Sequence, residues 1–290
     1  MVEVEVKVEV KEVGAGGERE IEATLAAILR SSKYRRLDLC EETIRDLLRA
    51  ELPRRRPAEA IQAVRKKLHN IVAAYLGDPD YDVAAAQLAA AFQDPAPAAV
   101  RGVCAQIMAA HASTRERLAI LHDFYPRIFA HTAAPRSLLD LACGLNPLSF
   151  PWMDLPAATR YHAYDIRPRR IALINHYFAL QGLEPLAKTQ DILAQPPTEA
   201  ADLALILKEV HRFEQRQRGC TAALLDALRV RYVVVSFPSV SLSGRQDLAA
   251  SYRGLLAKII RGSAKPPCGR AWRVEELRFE GEIVFCIDKA

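Results

Sequence analysis

The sequence holds no stretch of about 18 consecutive apolar residues, the length a membrane-spanning helix needs. Its amino terminus alternates valine with Glu and Lys instead of joining a basic segment to an apolar one, so neither a span nor a secretory leader is expected and a cytoplasmic location is. The six cysteines are scattered, with no C-x-x-C pair and no histidine at zinc-ligand spacing. That excludes a disulfide scaffold and leaves no metal expected. Internal repeats and low-complexity stretches are also missing. Half of the 290 residues are hydrophobic and 26% are charged, the balance of a globular chain with ample core and not of a disordered or fibrous one.

The formal net charge of +5 says little by itself, but its distribution is uneven. Residues 30–69 hold twelve Lys and Arg against six acids, a surplus of six positive charges, while the rest of the chain is close to neutral. A basic segment in a neutral protein is the footprint of a surface that meets a polyanion; the plainer reading is a set of helices with solvated outer faces. Both readings stay open for the segment alone.

Residues 1–19 read as a tail or edge strand, with alternating valines followed by a flexible hinge at Gly14-Ala15-Gly16-Gly17. From 20 to 132 the apolar spacing is helical, as in Ile21, Leu25, Ile28 and Leu29 or Ile61, Val64, Leu68 and Ile71, with breaks at proline-containing turns. This predicts an all-helical domain. After Pro135 short β-branched or Leu-rich runs alternate with helical stretches, which predicts a parallel, doubly wound sheet over 133–290. The runs are 137–141, 161–164, 186–190, 202–207 and 232–237, and 273–279 with 282–288 around Gly281 reads as an antiparallel hairpin at the sheet edge.

Ligands of such sheets bind beyond the carboxyl ends of the strands. The first strand runs into Asp140-Leu141-Ala142-Cys143-Gly144-Leu145-Asn146-Pro147, which has one glycine where a dinucleotide fingerprint needs three. A nicotinamide or flavin cofactor is therefore disfavoured. An acid followed by a small-residue turn suits S-adenosylmethionine, whose cationic end has no phosphates to cradle. Asp165, at the end of the second strand, is placed to accept hydrogen bonds from both ribose hydroxyls.

Several blocks then occur in order: Lys33-Tyr34-Arg35, Arg65 to Tyr75 (R-K-K-L-H-N-I-V-A-A-Y), His111 to Leu118 (H-A-S-T-R-E-R-L), Ala142 to Pro147 (A-C-G-L-N-P), Gln190 to Leu193, Asp202 to Lys208, and Val235 to Ser239 with Ser241 to Arg245. On these the chain resembles the 16S rRNA (guanine-N7) methyltransferases that confer aminoglycoside resistance. The resemblance implies a class I S-adenosylmethionine-dependent methyltransferase: a Rossmann-like, mostly parallel seven-stranded sheet with a terminal antiparallel hairpin, preceded by an all-helical rRNA-docking domain. It implies that Arg117 pairs with the methionine carboxylate, that Gly144 lets the backbone approach the amino-acid portion, that Asp165 holds the ribose, and that Gln190 and Asp191 lie against the adenine. Lys208 and Glu214 match positions linked to the target base and to local structure. One departure stands out: this chain reads Lys208-Glu209-Val210-His211-Arg212 where the family has Lys followed by Leu-Leu-Pro.

The lone pair of guanine N7 is exposed, so its methylation needs no general base, and His111 and His211 need not be catalytic. Catalysis is expected to be positioning, with the base turned out of its A-form helix. Phe237 is a candidate stacking platform or a core residue, and Lys208 and Arg245 are candidates to fix the turned-out nucleotide. Lys33, Arg35, Arg36, Arg65, Lys66 and Lys67 would dock on folded rRNA, and His69 either joins them or is structural. The expected partner is 16S rRNA of the assembled 30S subunit, at the decoding-site guanine that aminoglycosides contact, with the enzyme acting as a monomer. Two alternatives stay open: a methyltransferase of another RNA or a small molecule, and a non-catalytic ribosome-binding homologue.

Overall fold

The computed structural model describes residues 15–73, 77–93, 96–239, 248–263 and 271–289. Among the described residues, spacing of apolar side chains by three and four produces eight α-helices before the sheet: α1 (Ala15–Leu29), α2 (Ser32–Arg35), α3 (Glu41–Glu51), α4 (Pro57–Ala73), α5 (Tyr81–Ala91), α6 (Pro97–Met108), α7 (Ala112–Arg117) and α8 (Leu121–Thr132). Pro57 and Pro97 open α4 and α6, where a missing N–H has no helical partner to lose. Asp80 caps α5 by accepting from the N–H groups of Asp82 and Val83. The glycine-rich hinge is not a hinge: Ala15 to Gly17 form the first turn of α1, whose N–H groups need no intrahelical partner. The valine-rich part of the tail lies outside the described residues.

The second half alternates as its hydrophobic runs predict. The elements are β1 (Ser137–Leu141), β2 (Arg160–Asp165), α9 (Pro168–Gln181), β3 (Ala187–Thr189), β4 (Ala200–Leu207), α10 (Val210–Arg216), α11 (Cys220–Ala227), β5 (Arg229–Pro238), α12 (Ala249–Gly262), β6 (Arg273–Phe279) and β7 (Glu282–Asp288). They form a seven-stranded sheet in the order β3-β2-β1-β4-β5-β7-β6. β1 to β5 are parallel, and β7 enters antiparallel beside β5 with β6 hairpinned at the edge. Strand order reverses between β1 and β4, which puts the topological switch point, and the crevice for a ligand, at the carboxyl end of β1.

Period-two alternation sends the strand side chains to two cores. Leu138, Tyr161, Ala163, Leu203, Leu205 and Val234 pack against α5, α6, α8 and α9. Leu139, Leu141, Tyr164, Ala204, Ile206 and Val235 pack against α10, α11 and α12. A sheet covered on both faces explains why β4 and β5 read as near-continuous apolar runs. The change of sequence grammar near 133 does not coincide with a break in packing, because α5, α6 and α8 share a core with the sheet. A separate cluster belongs to α1, α3 and α4, closed by Ile21, Leu25, Ile28, Leu47, Leu48 and Val64.

That three-helix cluster is small, so each of its large side chains carries a sizeable share of its stability. Leu48→Ala, at a fully buried position, is expected to lower stability by about 2–5 kcal/mol through lost transfer energy and the cavity left behind. Urea denaturation followed by circular dichroism measures it, and a loss below about 1 kcal/mol would mean that the cluster readily collapses around the gap.

Candidate functional site

A cavity of about 580 Å³ opens at the switch point. Its walls are the turn after β1, the residues after β2, β3 and β4, the α6–α7 turn, and residues 67 and 70–72 near the end of α4. The β1 turn requires its one glycine. Gly144 sits at φ +55°, and a Cβ there would come within 3.0 Å of His111 Nε2. Ala142 (φ +53°) and Lys208 (φ +62°) hold the same left-handed conformation without being glycine, a strain that persists only where surroundings over-determine it. For Lys208 they do: its N–H donates to the Ser236 carbonyl (3.0 Å) and to Ser236 Oγ (3.1 Å), and its Nζ reaches Glu116 (2.7 Å) and Glu282 (3.3 Å).

The H-A-S-T-R-E-R-L block builds one side of this site. Its Thr114 hydroxyl donates to the Met108 carbonyl and shapes the turn before α7, His111 lies over Gly144, and Glu116 meets Lys208. Arg117, only 1% exposed, donates through Nε and Nη2 to both oxygens of Glu282 (3.1 and 2.8 Å) and through Nη1 to Asn146 Oδ1 (3.0 Å). Asn146 in turn donates to Asp140, which also accepts from the Tyr161 hydroxyl. Burial raises the Glu282 carboxyl, but the charges of Arg117 and Lys208 outweigh it and hold that group ionised. Burial wins at Asp140, which is pushed up to about 7 despite the hydrogen bonds from Asn146 and Tyr161.

Two further carboxylates line the cavity, each tied by an arginine to the amino-terminal half. Asp165 Oδ2 accepts from the Gly144 N–H (3.1 Å) and Arg170 Nη1 (2.8 Å), and Oδ1 accepts from the Arg167 N–H (2.9 Å). Arg170 Nη2 reaches Asp78 at 2.5 Å. Burial raises the Asp78 carboxyl, yet the hydrogen bond from His111 and the charges of Arg170 and Arg167 overcome it and hold the group far below its ordinary range. Asp191 is held the same way: Oδ1 accepts from the N–H groups of Leu193 and Ala194, and Oδ2 pairs with Arg216 (2.7 Å), which also grips Asp46 of α3 (2.6 Å).

Of the residues singled out by sequence, Arg117, Gly144, Asp165, Gln190 and Asp191 line this one cavity. Lys208 lies behind it, on Glu282. Phe237 requires a correction: it is fully buried, with Tyr252 stacked on it at 4.5 Å and Phe285 edge-on at 6.0 Å, so no base has access to its ring. Arg245 lies outside the described residues. Glu214 caps α11 by accepting from the Gly219 and Thr221 N–H groups.

The basic cluster divides. Lys33, Arg35, Arg36, Lys66 and His69 are exposed, Arg65 stacks on Tyr34 at 5.2 Å, and Lys67 pairs with Glu51 (2.7 Å) at the cavity rim. Sequence reasoning missed Asp78, Arg170, Arg216, Asn146 and Glu282. It also missed Glu209, just after β4, whose carboxyl is buried in the cavity wall with Arg212 Nε 4.0 Å away.

A family model described as ribosomal RNA methyltransferase (FmrO) matches residues 30–286. The chain is 32% identical over 276 residues to a 16S rRNA (guanine(1405)-N(7))-methyltransferase of Micromonospora echinospora, covering 94% of this chain and 98% of that one. To the protein of the same name from Serratia marcescens it is 36% identical over 234 residues, 80% and 86% of the two chains. Among solved structures it resembles the 16S rRNA methyltransferase RmtF in complex with S-adenosyl-L-homocysteine, with a TM-score of 0.75 and 30% identity over 93% of this chain and 98% of that one. The 16S rRNA methylase RmtB gives 0.74 and 32% over 93% and 98%.

The buried acid at Glu209 makes a pH signature. Burial pushes its carboxyl up to about 8 from an ordinary 4.5, so the folded protein keeps a proton that the unfolded chain releases. Its contribution is complete below the unfolded value and is lost as pH rises through the folded one. The melting temperature is expected to fall less between about pH 5 and 8 in Glu209→Gln than in the native protein. Parallel curves from scanning calorimetry of the two proteins would show that Glu209 titrates normally.

Proposed function

The chain belongs to the FmrO family of ribosomal RNA methyltransferases, and from that premise we propose that it transfers a methyl group from S-adenosylmethionine to N7 of a guanine in the 16S rRNA decoding site of the assembled 30S subunit, giving aminoglycoside resistance. The observation that carries the reading is the cavity at the switch point, where Arg117, Gly144, Asp165, Gln190 and Asp191 converge. Its chemistry suits this cofactor. Arg117 and Lys208 share the buried carboxylate of Glu282, while Glu116, which also meets Lys208, is 51% exposed and screened by water. The buried part of the cluster thus carries a surplus of positive charge that suits an amino-acid carboxylate. Arg117 uses three of its five N–H groups within the protein, which leaves two for a ligand. The Gly144 backbone leaves no room for a side chain. Asp165 spends Oδ2 on two donors but Oδ1 on one, so it keeps acceptor capacity for a ribose hydroxyl.

Bound there, S-adenosylmethionine supplies an electrophilic methyl group. The protein has no proton to remove from N7, and its task is orientation, worth roughly 7–11 kcal/mol when reacting groups are held in line. His111 serves this as a wall: burial pulls its imidazole below the ordinary value even beside Asp78, so it closes over Gly144 as a neutral ring. The exposed Lys33, Arg35, Arg36 and Lys66 lie on the helical half, where they are suited to meet rRNA phosphates and position the enzyme without reading sequence.

Incubating purified 30S subunits with the enzyme and labelled S-adenosylmethionine, then mapping the modified nucleotide, tests the reading. A methyl group elsewhere, or none, overturns it, and equal rates on a short oligonucleotide of the target sequence remove the requirement for the assembled subunit. Asp165→Ala is expected to weaken cofactor binding by about 1.5–3 kcal/mol, the value of a hydrogen bond to a charged group, as measured by calorimetry. Replacing Lys33, Arg35 and Arg36 by alanine is expected to lower subunit affinity and to flatten its log–log salt slope by roughly 0.7–0.9 per lost phosphate contact, with cofactor affinity unchanged. A slope identical to the native one would leave these residues as a solvated face.

A further inference from the structure

The segment that follows β4 faces the cavity. Glu209, Arg212 and Phe213 line it together with His211. Glu209 is 9% exposed, and its carboxyl accepts no hydrogen bond among the described residues, the nearest cation being Arg212 Nε at 4.0 Å. A desolvated carboxyl without a hydrogen-bond partner is expensive for a fold to keep. His211 shows the same deficit: its Nδ1 is buried without a partner. Its ring packs at the edge of the aromatic group formed by Tyr252 (5.8 Å) and Phe237 (6.4 Å). Phe237 is sealed under Tyr252, so among the aromatic rings of this group His211 is the one that lines the cavity.

We infer that Glu209 and His211 form the subsite that grips the target base, Glu209 pairing with the Watson–Crick edge of guanine and His211 lying against its ring. The inference rests on the function proposed above and names the residues that hold its substrate. Guanine offers an N1–H donor beside the O6 acceptor. A carboxylic acid offers the complement, with C=O accepting from N1–H and O–H donating to O6. Burial raises the Glu209 carboxyl to about 8 and lowers the His211 imidazole to about 4, so at neutral pH the acid is in the form that makes this pair and the imidazole is uncharged. N7 lies on the side of the purine away from N1, so a base held by its Watson–Crick edge leaves N7 free. Methyl transfer breaks the S–CH3 bond, forms the N7–CH3 bond and moves the positive charge onto the base. An uncharged imidazole stacks on that product without repelling it.

The test compares Glu209→Ala, Glu209→Gln, His211→Ala and His211→Phe in methyl transfer to purified 30S subunits, with cofactor affinity and melting temperature measured on each. The Gln amide reproduces the acceptor and donor of the acid, and Phe reproduces the stacking face. Both conservative variants are therefore expected to keep most activity, while each Ala variant loses roughly ten-fold or more in kcat/KM for subunits at unchanged cofactor affinity. Removing a desolvated carboxyl in Glu209→Gln should not lower the melting temperature, so a structural role and a base-holding role separate. Ala variants as active as the native enzyme overturn the subsite, as does a loss that follows cofactor affinity or that Gln and Phe fail to restore. A native enzyme that leaves the guanine unmethylated strikes the proposed function itself; an active native enzyme with indifferent variants strikes only the subsite.

Discussion

Everything around the cavity leans on the buried pair between Arg117 and Glu282, two residues 165 positions apart in sequence. Through Arg117 the pair fixes α7, through Asn146 the turn after β1, and through Glu282 the terminal hairpin; Lys208 joins it from the end of β4. Such a pair adds little net stability, since the cost of desolvating both charges offsets their attraction, but losing one partner strands the other. The cluster therefore works as a specifier of geometry. Arg117 and Lys208 share one buried, ionised carboxylate, and the nearby Asp140, with its carboxyl pushed up to about 7, only partly balances them. A dry site with spare positive charge is completed by an anionic group, which is the electrostatic requirement a cofactor's carboxylate meets.

The second constraint is the pair of arginine struts. Arg170 joins Asp165 to Asp78, and Arg216 joins Asp191 to Asp46. In both cases a carboxylate at the end of a strand is bound to one contributed by the amino-terminal half, so that half is part of the cavity wall and not an appendage beside it. Cys40 adds a main-chain tie, its N–H donating to the Ile166 carbonyl at 2.7 Å. The struts differ from ordinary surface ion pairs in their burial: Arg170 and Arg216 are 4% and 11% exposed at the side chain, where screening is weak and the geometry is held firmly.

Much of this was legible because it is local. Period two located the strands, and the strand-end rule singled out Asp165, whose ring of partners could not be read. Arg170 stands next to Arg169 in a run of similar residues, and nothing in that run says which one turns inward; the helix places Arg170 against Asp165 and leaves Arg169 exposed. Glu282 looked like one more polar residue of a hairpin, since its partner is supplied by tertiary folding alone. Phe237 failed for the opposite reason. Its place at a strand end was right, but alternation does not reveal that Tyr252 of α12 covers the ring. Positive charge in residues 30–69 was visible as a sum, whereas the division between exposed Lys33, Arg35 and Arg36 and the engaged Arg65 and Lys67 depends on Tyr34 and Glu51.

A reaction that needs no base places its demands elsewhere, on rigid placement and on a tolerable path for charge. The rigidity is visible as strain: Ala142 and Lys208, at the ends of neighbouring strands, both take left-handed backbone conformations unfavourable to residues with a Cβ. Each costs about 1–3 kcal/mol; hydrogen bonds to Ser236 hold Lys208 there, and beside Ala142 the next N–H, of Cys143, is tied to the Tyr164 carbonyl at 2.9 Å. The charge path is visible as buried acids. Asp140 and Glu209 are both desolvated enough to be raised toward neutrality, while Arg117 stands in the wall on the Glu282 carboxylate and Lys208 meets that carboxylate from behind. The cavity wall thus includes Arg117, held on the Glu282 carboxylate, and Glu209 beside His211, with Arg212 Nε 4.0 Å from the Glu209 carboxyl. The protonation of these two acids follows from burial as much as from which residues are present, because the same carboxyls in water would be ionised at neutral pH.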